Sequence, residues 1–381
     1  MKHKILIEVS TVVPIKGYYI PGIGQATKSL VSALNALHDL PYDIELYARG
    51  HHAVNFDFYG WTFKHHVNPI PVRCLEWNPS VEPFLRYRLL NYDLFHLTNN
   101  YYHVAKGEPF LATIHDCTDM DERFSGDLKP SERQAIAQRL QHMADDSKAI
   151  VTVSNSSKAE IVHYFGVKPE KVFVNHLGID RTVFRELHTL TVKTVLDKFH
   201  IHHPFFFACS CDRPRKNLIT ALRAFKKFIT GGSEHIFVIA WKNPTADIRS
   251  EFAKEINDGK IVFLPFLTDE ELIAFYNAAS MSVYVSRKEG FGLPILESFA
   301  CSTPVMTCSN SSIPEVGQDA AIYVGEDRLD EMVDVMKLFE AGHYDLDDFK
   351  EKKEKVLQQF SWEHTAQRCL RIYDHLFAHY L

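Results

Sequence analysis

Ser286-Arg287-Lys288-Glu289-Gly290-Phe291-Gly292-Leu293-Pro294-Ile295-Leu296-Glu297-Ser298-Phe299-Ala300 is the stretch around which this chain is organised. The apolar run before it, Met281 to Val285, reads as a buried strand, and Pro294 suits the first turn of a helix because the N–H it lacks has no partner there anyway. The order is strand, glycine loop, helix. Gly290 and Gly292 let the backbone approach a ligand closely, and the helix start behind them presents unpaired N–H groups and a positive dipole end to an anion. Glu289 precedes the loop, and Glu297 is placed on the first helical turn. A carboxylate is a poor phosphate ligand but a good acceptor for sugar hydroxyls, so a ligand carrying phosphates between two polyols satisfies both halves of the pattern. A nucleotide sugar is such a ligand. The competing reading is an ordinary helix N-terminus whose acidic residues favour the dipole.

The 381 residues exceed one average domain and divide naturally into two of fewer than about 200 residues each. A hydrophobic fraction of 46% is ample for two packed cores, and a net charge of −6 argues against a general nucleic-acid binder. The cysteines form no even, closely spaced framework, and Cys209-x-Cys211 lacks a second pair at zinc-like spacing, so they read as reduced thiols of a cytosolic protein. Histidine doublets such as His51-His52, His65-His66 and His202-His203 lack the spacing that puts two ligands on one helix face, and read as surface or core residues. The opening Met1 to Val9 is read as a first strand and not a signal peptide, because Glu8 breaks its apolar run and no small-residue cleavage site follows. No apolar run approaches the roughly 20 residues of a spanning helix, so membrane contact is expected to be peripheral.

In chain order, Ile5 to Val9 reads as a buried parallel strand, and Ile23, Thr27, Leu30, Leu34 and Leu37 mark a helix beginning close to Gly22-Ile23-Gly24. For Gly24, tight packing of the turn and direct ligand contact are equally supported. Ile44 to Ala48, Leu94 to Leu97 and Phe110 to Ile114 are short apolar runs separated by polar or helical stretches, the alternation of a parallel sheet. The last of these ends in Thr113-Ile114-His115-Asp116, and residues just past the carboxyl ends of parallel strands line the ligand crevice. An isolated His-Asp is more simply a pair, or a His bonded to a carbonyl. The span from Trp77 to Tyr92 mixes Trp77, Phe84, Tyr87 and Leu89 with Arg73, Arg86 and Arg88, which suits an acceptor phosphate or an anionic membrane surface, or more simply a helix with a solvated cationic face.

A helix from about 131 to 145 and a strand from Ala149 to Val153 follow, then a polar linker from Arg181 to His203. The second domain opens with the strand Phe205 to Cys209 and the turn Asp212-Arg213-Pro214-Arg215-Lys216-Asn217 before a helix through Leu222, Phe225 and Phe228. Such a turn holds a diphosphate well, since Arg clamps two oxygens and Lys adds a mobile point charge. Ile236 to Ala240, Ile261 to Leu264 and Thr303 to Met306 are further strands, Thr268 caps a helix, and the tail from Phe360 is an amphipathic helix.

Taken together, the intact EGFGLPILE with its E-x7-E spacing, Thr-Ile-His-Asp at 113–116, the segment from Thr152-Val153-Ser154 to Gly178-Ile179-Asp180, Pro214-Arg215-Lys216-Asn217 and Leu267-Thr268-Asp269-Glu270-Glu271-Leu272 follow one another along nearly the whole chain. In that order they resemble the retaining GT-B glycosyltransferases with the E-x7-E motif, glycosyltransferase family 4 or group 1, of mannosyltransferase type. The resemblance implies an α/β GT-B fold of two Rossmann-like domains facing across a cleft. An acceptor-binding domain is expected at 1–190 and a nucleotide-sugar-binding domain at 191–361, with the C-terminal helix 362–381 packing back on the first.

The resemblance further assigns catalysis to His115 and Glu289, and donor binding to Gly24, Arg215, Lys216, Glu289, Gly290, Phe291, Gly292, Leu293 and Glu297, with Glu297 on the ribose and Glu289 on the transferred sugar. No metal and no cofactor are expected: Asp119-Met120-Asp121 has Asp-x-Asp spacing but lies in an irregular loop beyond His115. The implied activity is transfer of a hexose, mannose from GDP-mannose or another sugar from a UDP or GDP donor, onto a glycan or lipid-linked oligosaccharide in polysaccharide or lipopolysaccharide biosynthesis. The enzyme is expected to be cytoplasmic, peripheral at the inner face of the membrane, with no nucleic-acid partner. Ser302 and the Cys-Ser-Cys at 209–211 depart from the family, which commonly has glycine there. Two other readings stay open: a sugar phosphorylase or nucleotide-sugar epimerase on the same fold, and a nucleotide-sugar-binding partner without catalysis.

Overall fold

The computed structural model describes residues 2–14, 20, 22–50, 53–68, 81–100, 103–125, 128–209 and 213–381. They fall into two compact units, the first made of 1–121, 127–178 and 362–381, the second of 122–126 and 179–361.

In the first unit the described elements are β1 (Lys4–Glu8), α1 (Gly22–Ala36), β2 (Asp43–Arg49), β3 (Lys64–Asn68), α2 (Val81–Leu89), β4 (Leu94–Leu97), β5 (Phe110–Thr113), α3 (Pro130–Asp146), β6 (Ala149–Thr152), α4 (Asn155–Phe165) and β7 (Val172–Val174). The strands form one parallel sheet in the order β3-β2-β1-β4-β5-β6-β7. Successive side chains of a strand point to opposite faces, and both faces of this sheet are covered, which is why its strands read as unbroken apolar runs. Ile5 and Ile7 join the core layer of Leu46, Leu94, Val31 and Leu34, while Leu6 joins Phe95, Leu97, Phe110, Leu140 and Ile161 on the other side. Edge strand β3 carries no such run; its Lys-His-His-Val-Asn is exposed or half-buried, so the apolar pattern passes over it.

The terminal helix spans Trp362–His379 and lies along α1. Its inner stripe Ala366, Cys369, Tyr373 and Leu376 is completely buried in the layer that contains Ile5 and Ile7.

The second unit contains α5 (Thr189–Lys198), β8 (Phe205–Cys209), α6 (Leu218–Ile229), β9 (Ile236–Ala240), α7 (Ala246–Glu251), α8 (Ala253–Asn257), β10 (Ile261–Phe263), α9 (Asp269–Ala278), β11 (Met281–Tyr284), α10 (Leu293–Ala300), β12 (Val305–Cys308), α11 (Ile313–Gly317), β13 (Ile322–Val324), α12 (Leu329–Glu340) and α13 (Leu346–Gln359). Its parallel sheet has the order β10-β9-β8-β11-β12-β13. Phe206 faces the layer of Leu222, Phe225, Phe228, Met281 and Met332, and Phe205 and Phe207 face Val238, Phe275 and Tyr276. Helix α9 has the cap its sequence calls for: the Glu271 N–H donates to Thr268 Oγ1 at 3.3 Å and the Thr268 N–H to Glu271 Oε2 at 2.8 Å.

The chain enters the second unit at Ile179, two residues before the polar run Arg181 to His203 taken as a linker, so the whole run lies in the second unit. Phe184 and Leu187, isolated apolar residues within that run, pack on the Phe205–Phe207 layer. The strand read at Thr303 to Met306 begins at Val305 and runs on to Cys308, with the Pro304 carbonyl accepting from the Ser282 N–H at 2.8 Å just ahead of it.

Each sheet reverses its direction of winding once, between β1 and β4 in the first unit and between β8 and β11 in the second. Loops leaving the carboxyl ends of such neighbouring strands diverge and leave a crevice. Because Leu376 is fully buried in the first unit's core, Leu376→Ala is expected to destabilise the protein by about 2–5 kcal/mol, read from urea unfolding monitored by circular dichroism.

Candidate active site

At the β8/β11 reversal the turn after β8 meets the loop after β11. Pro214–Lys216 form a single 3₁₀ turn, and Asn217 leaves it in the left-handed conformation at φ 59°. The buried Asn217 amide donates to the Glu326 carbonyl at 2.7 Å and accepts from the Thr220 hydroxyl at 2.7 Å, which holds that conformation. The Arg287 N–H donates to the Arg215 carbonyl at 2.8 Å and Arg215 Nη1 to the Lys288 carbonyl at 2.8 Å, so turn and loop are joined main chain to main chain as well as through side chains.

Arg215 Nη1 lies 2.8 Å from Glu289 Oε2, and Lys216 Nζ lies 2.8 Å from Glu289 Oε1. Glu289 is buried. Burial by itself would raise its pKa, but the Lys216 ammonium and the Arg215 guanidinium outweigh that and hold it at about 2. Lys216 also lies over the Tyr284 ring, whose hydroxyl is 3.4 Å from Nζ. Three of the residues that the resemblance assigns to the donor, Arg215, Lys216 and Glu289, therefore form one ionic cluster.

Gly292 has φ 122°, a backbone that side-chain-bearing residues rarely adopt, and it is the N-cap of α10. Leu293 is the first helical residue, which puts Glu297 on the second turn and corrects the first-turn placement. Phe291 is buried and packs edge-on against Phe360, so it supports the loop from beneath.

Glu297 differs sharply from Glu289. Burial pushes its carboxyl up to about 7, against the Tyr276 hydroxyl, which donates to Oε2 at 3.0 Å and pulls it down. Two carboxylates of one motif thus hold different charge at neutral pH, because only one of them has cations within hydrogen-bonding reach.

Ser302, where family members commonly have glycine, adopts φ 60° and keeps the turn. Its hydroxyl bonds to Glu186 and accepts from Lys353 Nζ at 2.5 Å, contacts that a glycine could not make.

In the first unit His115 is the second residue past the end of β5, half-buried, with Nε2 at 3.3 Å from the Thr98 carbonyl. Burial lowers its pKa, partly offset by that carbonyl and by Asp116, so the ring is neutral at pH 7. It lines a small pocket with His96, Thr98, Thr113, Asn175 and Trp362. His96 beneath it is bonded to the Tyr373 hydroxyl at 2.7 Å and Thr113 Oγ1 at 3.0 Å, and burial drives its pKa to about 3.

Gly24 is explained by packing. A Cβ there would stand 2.3 Å from the Thr11 carbonyl oxygen and 2.5 Å from Ile20 Cγ2, so only glycine lets α1 approach the segment after β1.

Sequence reasoning missed Glu8, noted only as a break in an apolar run. It is buried at the end of β1, accepts from the Ser10 N–H at 3.1 Å and from Asn99, and has Arg49 Nε at 4.0 Å. A single charge in an apolar strand was the available signal.

Arg86 overturns its surface reading. It is buried, bonded to Glu82 Oε1 at 3.1 Å, to both Glu108 oxygens at 2.8 and 2.9 Å and to the Tyr92 hydroxyl at 3.2 Å, over the Phe95 ring. It is therefore unavailable to a phosphate or a membrane. Helix α2 instead exposes Phe84, Leu85 and Leu89 beside Arg88, and Arg73 and Trp77 lie outside the described residues, as do His51, His52, Cys211 and Asp212. Among the described residues no cluster of His, Cys, Asp or Glu is grouped for metal binding, Cys117, Cys209, Cys301, Cys308 and Cys369 are not joined in disulfides, and no helix is long and apolar enough to cross a membrane.

Two parallel-sheet Rossmann-like units, each with one reversal of winding in its sheet, are the architecture of GT-B proteins. The solved structure of HepE from Anabaena in complex with UDP and glucose has this fold, with a TM-score of 0.73 at 14% identity over 98% of this chain and 99% of that one. A sequence profile described as Glycosyltransferase Family 4 matches residues 23–183, and one described as Glycosyl transferases group 1 matches 202–356. The chain belongs to the group 1 and family 4 glycosyltransferases.

Among curated relatives, the Escherichia coli serotype-specific mannosyltransferase WbdA is 26% identical over 67% of this chain and 32% of its own length. The O-antigen chain mannosyltransferase B of Escherichia coli is 25% identical over 72% of each. The chain spans about a third of the length of the first of these, WbdA.

The Tyr276 hydroxyl is the group that pulls the Glu297 pKa down, so Tyr276→Phe is expected to move the Glu297 titration further above 7, read by NMR of ¹³C-labelled glutamate.

Proposed function

We propose that this chain is a retaining glycosyltransferase that moves a hexose, mannose from GDP-mannose in the first instance, from a nucleoside-diphosphate donor onto a glycan or lipid-linked oligosaccharide in polysaccharide or lipopolysaccharide biosynthesis. The observation that carries the proposal is the Arg215–Glu289–Lys216 cluster at the β8/β11 reversal. Mannose as the sugar is supported by the names of the two Escherichia coli relatives.

As the glycosidic bond breaks, negative charge grows on the departing diphosphate. Arg215 and Lys216, already oriented by Glu289, offer it fixed positive charge with little reorganisation, and the N–H groups at the start of α10 add to the field. In this proposal they supply the charge that a metal supplies in other transferases. Glu289, kept ionised, accepts hydroxyls of the transferred sugar, and Glu297 accepts those of the ribose. The ionised Glu297 accepts from hydroxyls more strongly than its protonated form, so nucleoside diphosphate affinity should rise as pH passes upward through about 7.

The bond from the anomeric carbon to the diphosphate oxygen breaks, the bond to the acceptor oxygen forms on the same face, and the acceptor's proton passes to the departing phosphate. His115, neutral at pH 7, orients and makes a polar contact and does not need to abstract a proton. A lipid-linked acceptor would be met at the cytoplasmic membrane surface, and the exposed Phe84, Leu85 and Leu89 of α2 are consistent with peripheral contact there.

Arg215→Ala and Lys216→Ala are each expected to weaken nucleoside diphosphate binding by about 1.5–3 kcal/mol in calorimetry, the range for hydrogen bonds to charged groups. Normal binding by both variants would leave these cations with no role beyond holding Glu289. The reaction itself is tested by incubating EDTA-treated protein with GDP-α-mannose and a mannose-terminated acceptor: an α-linked product by NMR is expected. A β-linked product, or activity that returns only with Mg²⁺ or Mn²⁺, would sink the assignment.

A further inference from the structure

The loop that carries Glu289 has neither helix nor strand to satisfy its main chain; besides its bonds to Arg215, it is held by the side chains of one short segment, Asn310–Ser312, between β12 and α11. Ser311 Oγ accepts from the Glu289 N–H at 3.0 Å and donates to its neighbour Asn310 Oδ1 at 3.2 Å. The Ser312 hydroxyl, wholly buried, points at the two carbonyls that flank Gly290, 2.9 Å from Glu289 O and 2.7 Å from Phe291 O. Asn310 Nδ2 reaches the Ser286 carbonyl at 3.2 Å and Glu326 Oε2 at 3.3 Å. Four main-chain groups of the segment 286–291 are thereby tied to three consecutive side chains.

Ser311 makes its bond from a left-handed conformation, φ 46°, that a residue with a Cβ adopts at a cost. Glycine would relieve that cost, yet it would remove the hydroxyl. A serine held in this conformation by its surroundings is what a hydroxyl needed at one point in space would look like.

We propose that Ser311 and Ser312 are positioning residues that set the Glu289 carboxylate for the transferred sugar, with Ser311 fixing its N–H and Ser312 its carbonyl. The inference rests on the glycosyl-transfer reading above. Arg215 and Lys216 belong to the turn after β8 and not to the serine-bearing segment, so the diphosphate should still bind when the serine anchor is lost. The loss should fall on kcat.

Ser311→Gly separates position from stability, because the relief at φ 46° opposes the loss of one hydrogen bond. The expected result is a melting temperature equal to or above the parent's, GDP affinity within twofold, and kcat with GDP-mannose reduced tenfold or more. Ser312→Ala, which leaves two carbonyls without their donor, should show the same fall in kcat together with a lower melting temperature. A Ser311→Gly variant with kcat within twofold of the parent overturns the proposal.

A second measurement requires no turnover. The Lys216 ammonium, bonded to Glu289, should give a slowly exchanging Nζ resonance in ¹⁵N-lysine-labelled parent protein at neutral pH. In Ser311→Gly it should broaden as Glu289 loses its fixed place. An unchanged resonance overturns the positioning role whatever the activity. A parent chain that transfers no mannose would sink the proposed function instead, and the lysine signal would still decide the role of Ser311.

Discussion

A carboxylate buried in a loop stays ionised where cations meet it, and Glu289 is met by two. Desolvation would otherwise raise its pKa, as it raises that of Glu297 to about 7. The demand for partners reaches back along the chain to the turn after β8, where one 3₁₀ turn aims Arg215 and Lys216 at the same group. Left-handed Asn217 ends that turn, and its amide is spent on Glu326 and Thr220, so the turn is held from both sides. The cluster is thus a structural device of the ligand-free chain as well as the feature that supports a donor site.

The two units apply one topology to different chemistry. Each winds a parallel sheet outward in both directions from a central reversal, and each collects polar groups at the carboxyl strand ends. In the second unit those groups are strongly charged and ion-paired. In the first they are muted: burial keeps His96 and His115 neutral and raises the pKa of Glu8 despite Arg49. A neutral histidine beside a half-buried pocket suits polar contact with an uncharged hydroxyl, whereas a fixed pair of cations suits an anion. This difference in electrostatics, more than the shared fold, is what divides the roles proposed for the two sites.

Buried polar networks also show where local reading fails. Glu82 and Arg86 stand four residues apart, the spacing of a solvated helical pair, yet both are buried with Glu108 and Tyr92. Nothing within nine residues of helix announces that the opposite face, with Phe84, Leu85 and Leu89, is the exposed one. The carboxylate that completes the network lies on the other side of β4, and only the folded chain brings it there.

Sequence by itself determined the alternation of buried strands and helices, because both faces of a parallel sheet are covered and its strands must then be continuously apolar: Ile5 to Ile7, Phe205 to Phe207 and Met281 to Val283 could be read without a partner in view. It also determined the strand–glycine loop–helix order around Glu289, since Gly292 and Pro294 act on their own backbone. What it could not settle were features whose energy comes from residues far apart in the chain. The edge strand β3 is defined by pairing with β2 and not by its own side chains. Gly24 proved to be needed for its approach to Thr11 and Ile20, a steric fact invisible in a glycine. The division of charge between Glu289 and Glu297 followed from cations more than seventy residues upstream reaching only one of them. Hydrophobic periodicity is written locally, because burial is decided by which face a residue occupies; ionisation and positioning are set by distance in space, and that distance exists only once β8 lies beside β11.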